Sequence, residues 1–469
     1  MSSIFRLAPL AAALILAGCG TLAPSYERPA APVAQSWPQG PAYAAAPAVG
    51  ELPDWKTFFT DARLRDLIAQ SLENNRDLRV AMLNVEQARA AYRVSRSALF
   101  PNVGASANGN HTRSDGAGIG DAQVSHSYGA NIGASYELDL FGKVRSGNEA
   151  VLNQFFATEE GARAARLTLI AEVANAWIAV AASRAQVEFD RTTLESQEAS
   201  FVRVSRSYEL GVASALELNQ ARTTVESARA SLAASTRSEA QAVNALTLLA
   251  GSVVDEAKLP AAGQVAASVM PELPSSVPSE VLLRRPDIAQ AERKLRAANA
   301  NIGVARAAFF PSISLTAGGS RSSLQLSDLF SGGATYGWNW GPTISVPIFQ
   351  GGALSAQLEG AQVARDIALA SYEKSIQSAF REVADALAAR GTIDTQLAAQ
   401  TALVKAASEA YRLSEQRFAG GIDSYLVVLE SQRQMVAAQQ ALISLEQQRA
   451  ANLVTLYKVL GGGAEPAKG

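Results

Sequence analysis

The chain has 469 residues, of which 48% are hydrophobic and 18% charged, and its 41 basic and 43 acidic side chains leave a formal net charge of −2. This balance lacks the clustered basic excess of nucleic-acid-binding proteins, so no nucleic-acid partner is expected. Two histidines and one cysteine are too few for a zinc site or a disulfide framework, so we expect no metal and no cofactor. Alanine and glutamine abound, as in long packed helices. After the N-terminus, no apolar stretch reaches the roughly 20 residues of a membrane-spanning helix.

The first residues predict export and lipid attachment. Arg6 is followed by an apolar run, which is the pattern of a secretory signal peptide. The sequence Leu16-Ala17-Gly18-Cys19 resembles the lipobox of bacterial lipoproteins, which implies cleavage before Cys19 and acylation of this residue. Gly20, rather than Asp, follows it and by the same resemblance favours sorting to the outer membrane. The alternative is an ordinary signal peptide in which the cysteine is incidental.

Changes in composition divide the chain into six predicted segments. Residues 21–53 are rich in Pro and Ala and carry few charges, which is typical of an extended leader without a core of its own. The segments are a lipoprotein signal peptide (1–18), an acylated extended leader (19–53), a first repeat (54–250), a linker rich in Pro, Ser and Val (251–278), a second repeat (279–460) and a C-terminal tail (461–469).

Each repeat is predicted to contain two strands, at about 101–112 and 124–141 in the first and at about 311–323 and 335–348 in the second. Apolar residues alternate there with small polar ones, as Trp338 and Trp340 do with Asn339. Segments of about 10 residues with one apolar and one polar side are typical of outer-membrane strands. The alternative is two hairpins packed on a soluble core. Residues 116–121 and 324–333 are the predicted turns.

Long helices follow the strands in each repeat. Residues 143–208 and 352–418 are almost unbroken stretches of good helix formers without proline. The first would extend over roughly 100 Å at about 1.5 Å per residue, which is too long for a compact domain. A buried stripe is predicted at Ile170, Val173, Ala174, Trp177, Ile178 and Ala181, and a seam with seven-residue spacing at Leu429, Val436, Ile443, Ala450 and Tyr457.

A glycine is predicted to end each long helix, and a second helix returns from it. Gly211 and Gly421 suit the left-handed C-terminal cap, in which a Cβ would be strained. Three residues later, Ser214 and Ser424 are candidate N-caps of the returning helices. The sequence therefore predicts one tight helical hairpin in each repeat.

Three motifs recur in the same order, which indicates a tandem duplication. Phe100-Pro101 recurs as Phe310-Pro311, Phe141-Gly142 as Phe349-Gln350, and Gly211 as Gly421, at separations of 210, 208 and 210 residues. The fold class that follows is mainly α, with very long helical hairpins and four strands per chain.

Four strands cannot close a barrel in a membrane. Single-chain bacterial barrels have at least 8 strands, and an open edge in lipid leaves backbone groups without hydrogen bonds. Copies of the chain must therefore share one barrel. Two copies give 8 strands and an interior filled by side chains, whereas three give 12 strands and a lumen, which the polar inward faces favour.

Together the motifs resemble a known family. They are the lipobox, the duplicated plan, and the sequences Leu283-Arg284-Arg285-Pro286-Asp287-Ile288, Ala307-Ala308-Phe309-Phe310-Pro311 and Gly420-Gly421-Ile422-Asp423-Ser424-Tyr425-Leu426. From about residue 52 to 460 the chain resembles the outer membrane factor family of TolC-like efflux proteins, in particular its lipoprotein branch of the OprM and NodT type. The resemblance implies a homotrimer with a 12-stranded barrel in the outer membrane and a helical tunnel in the periplasm. It also implies a periplasmic adaptor and an inner-membrane pump of the RND type, which together expel drugs or other small toxic compounds.

The resemblance also assigns roles to the hairpins. The implied periplasmic gate consists of four charged side chains: Arg417, Asp423, Glu430 and Arg433. Glu430 stands where relatives usually carry Asp, and Phe418 and Ala419 replace a Tyr and a basic residue, which would weaken the gate. Solvated helix charges without a gating role are the alternative. The implied adaptor contacts are the hairpin tips, at Gly211, Val212, Gly421 and Ile422.

Catalysis is not predicted. The sequence has no nucleophile elbow, no phosphate-binding loop and no H-E-x-x-H pair, and His111 and His126 are ordinary polar positions in or beside strands. The energy for transport must therefore come from a partner. Two other functions stay open at this point, the outlet of a type I protein secretion system and a lipid-anchored periplasmic scaffold or adaptor.

Overall fold

The computed structural model of the chain describes residues 20–43, 52–114, 123–263 and 279–462. The predicted signal peptide, Cys19, the predicted turn at 116–121 and most of the predicted linker and tail lie outside these residues. The protein is divided into two compact units, each assembled from three stretches of sequence. The sheet unit comprises 1–30, 84–159 and 290–372, and the hairpin unit comprises 31–83, 160–289 and 373–469.

Within the described residues the chain forms eight α-helices and four strands. The helices are α1 Trp55–Phe58, α2 Ala62–Asn74, α3 Arg76–Ser97, α4 Lys143–Glu209, α5 Ala215–Ala250, α6 Pro286–Ala307, α7 Ala353–Ala419 and α8 Tyr425–Val459. The strands are β1 Asn102–Ser114, β2 Gln123–Leu138, β3 Ser312–Ser323 and β4 Thr335–Ser345, and short 3₁₀ helices lie at Glu256–Lys258, Ser279–Arg284 and Leu326–Asp328. The two long helices, α4 and α7, have 67 residues each and agree with the sequence prediction to within one residue at either end.

The sheet unit contains one antiparallel sheet in the order β1-β2-β3-β4. Its central pairing, β2 with β3, joins the first repeat to the second, with Ile132 opposite Gly319. In the part of the chain that the structure describes, the two outer strands, β1 and β4, pair on one side only. Alternation in the sequence predicted four strands, and the sheet confirms their period of two.

Alternation gives the sheet two chemically distinct faces. The apolar face carries every second residue from Val103 to Arg113, from Val124 to Leu138, from Ile313 to Ser323 and from Tyr336 to Ile344. The small polar face carries every second residue from Asn102 to Ser114, from Gln123 to Glu137, from Ser312 to Ser322 and from Thr335 to Ser345. Trp338 and Trp340 on the apolar face are each 69% exposed, so the chain alone does not bury this face.

Two strands end earlier than the sequence pattern predicts. β2 stops at Leu138 instead of 141, because the Asp139 carboxylate accepts hydrogen bonds from the backbone N–H groups of Val144 and Arg145 and starts α4 there. β4 stops at Ser345 instead of 348, because Ser345 pairs with Ser312, the first residue of β3, and no residue of β3 remains to pair beyond it. β1 extends two residues beyond the predicted end, to Ser114.

The hairpin unit is built around the predicted helical stripes. Ile170, Val173, Ala174, Trp177, Ile178 and Ala181 are all buried, as are Leu429, Ile443, Ala450 and Tyr457, while Val436 is half-buried. The ring of Tyr457 stacks on Phe58 at 4.2 Å between centroids, which fixes α1 against α8. By length and composition, one helix in the described part of the chain, α4, could cross a membrane, contrary to the sequence expectation. Half of its apolar stretch is buried inside the protein, so this is weak evidence for a span.

The helical hairpins turn as predicted at their glycines. Gly211 has a φ of +75° and Gly421 a φ of +68°. At each tip the next residue donates its N–H to a carbonyl five residues earlier, from Val212 to Ser207 and from Ile422 to Arg417, each at 2.9 Å. This pattern is the Schellman C-cap.

The two N-caps that follow the tips differ. Ser214 forms a capping box with Glu217. The Ser214 hydroxyl accepts a hydrogen bond from the N–H of Glu217, and the Glu217 carboxylate accepts one from the N–H of Ser214. Ser424 occupies the N-cap position, but its side chain makes no capping hydrogen bond. The corresponding third position is Val427, which has no carboxylate to orient the serine. The predicted N-cap position of Ser424 is therefore correct, but the capping hydrogen bond expected from its side chain is not formed.

Candidate functional site

A small apolar cluster holds the two hairpins together near their tips. Its members are Val204 from α4, Ala221 from α5, and Tyr425, Val428 and Leu429 from α8. Phe418 packs on this cluster, with 5.2 Å between its ring centroid and that of Tyr425. Phe418, predicted to replace a Tyr, therefore keeps an aromatic ring in this packing and lacks only the hydroxyl.

Beyond this cluster the tips expose apolar side chains to solvent. Val212 is 81% exposed and Ile422 is 66% exposed. Leu210, Leu216 and Leu426 beside them are exposed as well. Contiguous exposed apolar residues mark sites of protein contact, so the tips are a candidate docking surface.

Arg417 and Asp423 form an ion pair across the second tip. The guanidinium donates through Nε to Oδ2 at 2.6 Å and through Nη2 to Oδ1 at 3.0 Å. The hydrogen bond from Arg417 lowers the pKa of Asp423 below its usual value. The pair is therefore formed at neutral pH and is lost only as the pH falls through that lowered pKa. Two of the four predicted gate residues thus form an ion pair with each other within one hairpin.

The other two predicted gate residues, Glu430 and Arg433, are not brought together. Both are exposed on α8, and the Glu430 carboxylate accepts a hydrogen bond at 3.2 Å from the amide of Gln434. Their i, i+3 spacing permits an ion pair, but in the described residues the Glu430 carboxylate bonds Gln434 rather than Arg433. Both side chains thus remain available to groups outside this chain.

An ion pair that no sequence pattern predicted links the two hairpins a few residues before their tips. The Arg203 guanidinium on α4 lies 3.2 Å from the Glu415 carboxylate on α7. Within the first hairpin, Arg229 of α5 likewise bonds Glu198 of α4 at 2.9 Å. Neither pair has the i, i+3 or i, i+4 spacing that a sequence would reveal, since the partners are 212 and 31 residues apart. Only the folded arrangement of the helices reveals them.

The small polar face of the sheet is nearly free of charge. In the described strands it consists of Asn, Gly, Ser and Thr residues and Gln123, with Glu137 as its one charged member. Glu137 stands at the helical end of β2 and lies 3.5 Å from the Lys143 ammonium. The face therefore presents hydroxyls, amides and backbone, and one carboxylate with a cationic neighbour.

Residues 20–28 of the leader lie along α6, a position that the sequence did not predict. Three residues of α6 with seven-residue spacing bond successive groups of the leader. Arg306 donates to the Leu22 carbonyl at 3.1 Å and Asn299 donates to the Pro24 carbonyl at 2.7 Å. Glu292 accepts a hydrogen bond from the Arg28 guanidinium at 2.9 Å. Thr21 bonds Ser146 of α4 at 2.8 Å. The residue that follows Cys19 is thus held beside the start of α4, where β2 has just ended.

Glu292 bonds two side chains of the leader, those of Tyr26 and Arg28. Burial by itself would raise its pKa, but hydrogen bonds from Arg296 and Arg28 outweigh burial and hold the pKa below the usual value. Burial and the neighbouring Glu292 carboxylate raise the pKa of Tyr26 to about 12, so its hydroxyl stays protonated and donates to Glu292. The attachment is therefore intact at neutral pH and weakens as acid protonates Glu292.

Metal-binding side chains do not gather in the described residues. No group of three or more His, Cys, Asp or Glu side chains there is placed to hold a metal ion. His111 and His126 face each other across β1 and β2.

Comparison with known proteins connects these features. The family model described as outer membrane efflux protein matches the chain twice, over residues 67–252 and 277–462. The antibiotic efflux pump outer membrane protein ArpC of Pseudomonas putida is 46% identical over 457 residues, covering 96% of this chain and 94% of that protein. The solvent efflux pump outer membrane protein SrpC, also of Pseudomonas putida, is 44% identical over 98% of both chains.

Solved structures agree with the sequence matches. The crystal structure of the open state of the MtrE outer membrane channel of Neisseria gonorrhoeae is 38% identical and superposes with a TM-score of 0.82, over 95% of this chain and 99% of that one. These matches confirm the predicted resemblance and the fold class of a helical tunnel with barrel strands. They also confirm the role of an outer-membrane exit channel in an efflux system.

Proposed function

Because the chain belongs to the outer membrane efflux protein family, we propose that three copies form a passive duct that expels antibiotics, organic solvents and similar small toxic compounds. An inner-membrane pump of the RND type supplies the energy, and a periplasmic adaptor connects the pump to the duct. The names of the relatives, antibiotic efflux and solvent efflux, support the substrate class.

The small polar face of the sheet is the observation that carries this proposal. Strands of a membrane barrel alternate between lipid and lumen, so the apolar face contacts lipid and the small polar face lines the lumen. A wall of uncharged polar residues, with Glu137 at its helical end as the one charged member, places little charge in the path of an ion. It offers no large apolar side chain to retain a hydrophobic compound. Such a wall suits a duct that leaves substrate choice to the pump.

Deletion of the gene tests the proposal. The deletion strain is expected to become more susceptible to a panel of antibiotics and to toluene, and the wild-type gene should restore resistance. Unchanged susceptibility combined with loss of an exported protein from the medium would instead identify the outlet of a type I secretion system. Unchanged susceptibility and unchanged secretion would contradict both functions.

The exposed tips, at Gly211, Val212, Gly421 and Ile422, are the proposed adaptor contact. The double variant Val212→Asp and Ile422→Asp places charges in this apolar surface and should fail to restore resistance, although its trimers still insert and conduct ions. Val253→Asp is the matched control, since this apolar side chain is 87% exposed at a position far from the tips in sequence. Resistance restored by the tip variant would rule out docking at this surface.

Glu430 and Arg433 are the proposed gate contacts between neighbouring subunits. The double variant Glu430→Ala and Arg433→Ala is expected to raise the time-averaged single-channel conductance. Exposed ion pairs contribute about 0–1 kcal/mol each, and a loss near 1 kcal/mol changes the ratio of open to closed channels about fivefold. Planar-bilayer recording measures the effect.

The control for the gate variant removes one acidic and one basic side chain with the same spacing on another helix. Glu188 and Arg191 are also an exposed i, i+3 pair, on α4, and they are bonded to each other at 2.9 Å. Glu188→Ala with Arg191→Ala should leave conductance unchanged. Equal conductance of both double variants and the wild type would leave the charges of α8 as solvated helix residues.

Acylation of Cys19 is the proposed anchor to the inner leaflet of the outer membrane. The leader contacts with α4 and α6 support it, because they hold residue 20 beside the end of β2 where the strands leave the membrane. Radiolabelled palmitate should be incorporated into the wild type and not into Cys19→Ala. Equal labelling of both would place the lipid on another residue, and no labelling of either would contradict acylation.

A further inference from the structure

Arg285 is buried where α8 ends and α6 begins, in the motif from Leu283 to Ile288 for which the sequence suggested no role. Its Nη1 donates to the carbonyl of Val459, the last residue of α8, at 2.8 Å. Its Nε and Nη2 bond the two carboxylate oxygens of Asp287 at 3.1 and 2.7 Å, and Nη2 also bonds Glu382 of α7 at 2.8 Å. One guanidinium therefore joins the end of α8, the start of α6 and the side of α7.

The first repeat has the equivalent junction, 210 residues earlier in the chain. There Asn75 stands directly before α3, and its Nδ2 donates to the carbonyl of Leu249 on α5 at 3.0 Å. Its Oδ1 accepts a hydrogen bond from the N–H of Leu78 at 2.9 Å. The side chain at this junction is therefore neutral, and neither of these bonds goes to the long helix α4.

The two carboxylates that hold the arginine are present in both repeats. Asp77 corresponds to Asp287 at the separation of 210 residues. Glu172 of α4 corresponds in the same way to Glu382 of α7, and both carboxylates of the first repeat are exposed. The duplication thus isolates what Arg285 adds to the second repeat, which is a link from the long helix α7 to the end of the returning helix α8.

Burial of the guanidinium makes this link hard to replace by water. The Arg285 side chain is 9% exposed, whereas its two carboxylate partners are 44% and 42% exposed. A buried cation that loses a partner is left uncompensated, which costs several times more than the loss of an exposed pair. From this junction to Glu430, α8 extends over about 44 Å at about 1.5 Å per residue. Because a helix is stiff along its axis, a slip of α8 at the junction would move Glu430 by the same distance.

We propose that Arg285 is a positioning residue of the second hairpin. It fixes α8 in its axial register against α7 and thereby sets the position of the gate residues Glu430 and Arg433. The first hairpin has a neutral junction in its place, so the link is specific to the hairpin that carries the gate. This inference rests on the proposed function only for the role of Glu430 and Arg433 as the gate.

Spin labels on purified trimers test the proposal by reporting the position of α8. A label is attached through an unnatural ketone-bearing amino acid at Gln440 on α8, or at Ala230 on α5, which is the equivalent exposed position of the first repeat. Arg285→Asn gives the second junction the side chain of the first. It should widen the distribution of distances between labels at position 440 about twofold, because the link to α7 is lost.

Two further variants show whether the link to α7 is responsible. Glu382→Gln removes only the charge on α7 and should widen the distribution at position 440 in the same direction. Arg285→Lys keeps the charge and should recover part of the narrow wild-type distribution. Because the Glu382 side chain is partly exposed, Glu382→Gln decides the question if Arg285→Asn does not assemble.

Matched controls separate positioning from general stability. Labels at position 230 should keep the wild-type width in every variant, and equal widening at both positions would overturn the proposal. Arg449→Gln removes another arginine bond between α8 and α7, to an Asp394 side chain that is 69% exposed, and should leave both widths unchanged. An unchanged width at position 440 in Glu382→Gln trimers that conduct would overturn the inference and leave the duct function intact. Wild-type trimers that never conduct would instead contradict the proposed function.

Discussion

Replacing Trp177 by alanine is expected to destabilise the hairpin unit by about 3–5 kcal/mol, the range measured for removal of a large buried aromatic side chain. Trp177 is fully buried on α4, and its indole N–H donates to the carbonyl of Lys258 at 3.3 Å. The Arg63 guanidinium lies over the ring at 5.8 Å from its centroid. The alanine variant would leave a cavity, remove the hydrogen bond to the Lys258 carbonyl and remove the ring that lies beside the Arg63 guanidinium.

Heat-induced dissociation of the purified trimer, followed by gel mobility, measures this loss. Trp177→Phe is the control, because it keeps an aromatic ring in the core while removing the N–H and part of the ring volume; it should cost less than Trp177→Ala. If Trp177→Ala dissociates at the wild-type temperature, the stripe on α4 does not carry the stability that its burial indicates.

Replacing Gly303 by alanine is expected to detach the leader from α6. A Cβ at this position would lie 2.6 Å from Ser146 Oγ and 2.8 Å from both the Cβ and the backbone nitrogen of Ala23. Because one of these atoms is backbone, the leader has to move, at a cost of about 1–3 kcal/mol for overpacking. Its bonds to Asn299 and Glu292 would be strained or lost.

Hydrogen exchange of the amides in residues 21–28 should therefore be faster in Gly303→Ala than in the wild type. Gly147→Ala is the matched control, since it is also a helical glycine and its Cβ would meet only Val304 Cγ2, at 3.8 Å. Alanine favours helix by up to about 1 kcal/mol, so this control should be neutral or slightly stabilised. Leader exchange that is equally slow in both variants would show that the close approach at Gly303 is readily relieved.

Patterns within a few residues of each other were predictable. Alternation placed Trp338 and Trp340 on one face of a strand, and the seven-residue spacing placed Ala450 and Tyr457 in the core, because periodicity reports the environment of each residue. The left-handed turns at Gly211 and Gly421 followed from the absence of a Cβ. All of these depend on local geometry alone.

Contacts between distant residues were not predictable in this way. The leader bonds to Glu292 through Arg28, and Arg203 meets Glu415, only because the fold brings the segments together. For Glu430 and Arg433, spacing allowed an ion pair that the chain does not form, since i, i+3 geometry is permissive and solvent competes for both charges. Asp139 ended β2 early by capping a helix that alternation could not detect.

The pairing of β2 with β3 has a consequence for how the ring closes. Each of these strands belongs to a different repeat, and in a barrel of three chains β4 of one subunit must meet β1 of the next, which again joins unlike repeats. A half-length ancestor with a single hairpin could have closed the same circle with six molecules. Gene fusion would have turned three of those six joints into covalent ones, so that assembly needs three encounters of whole chains and depends less steeply on concentration.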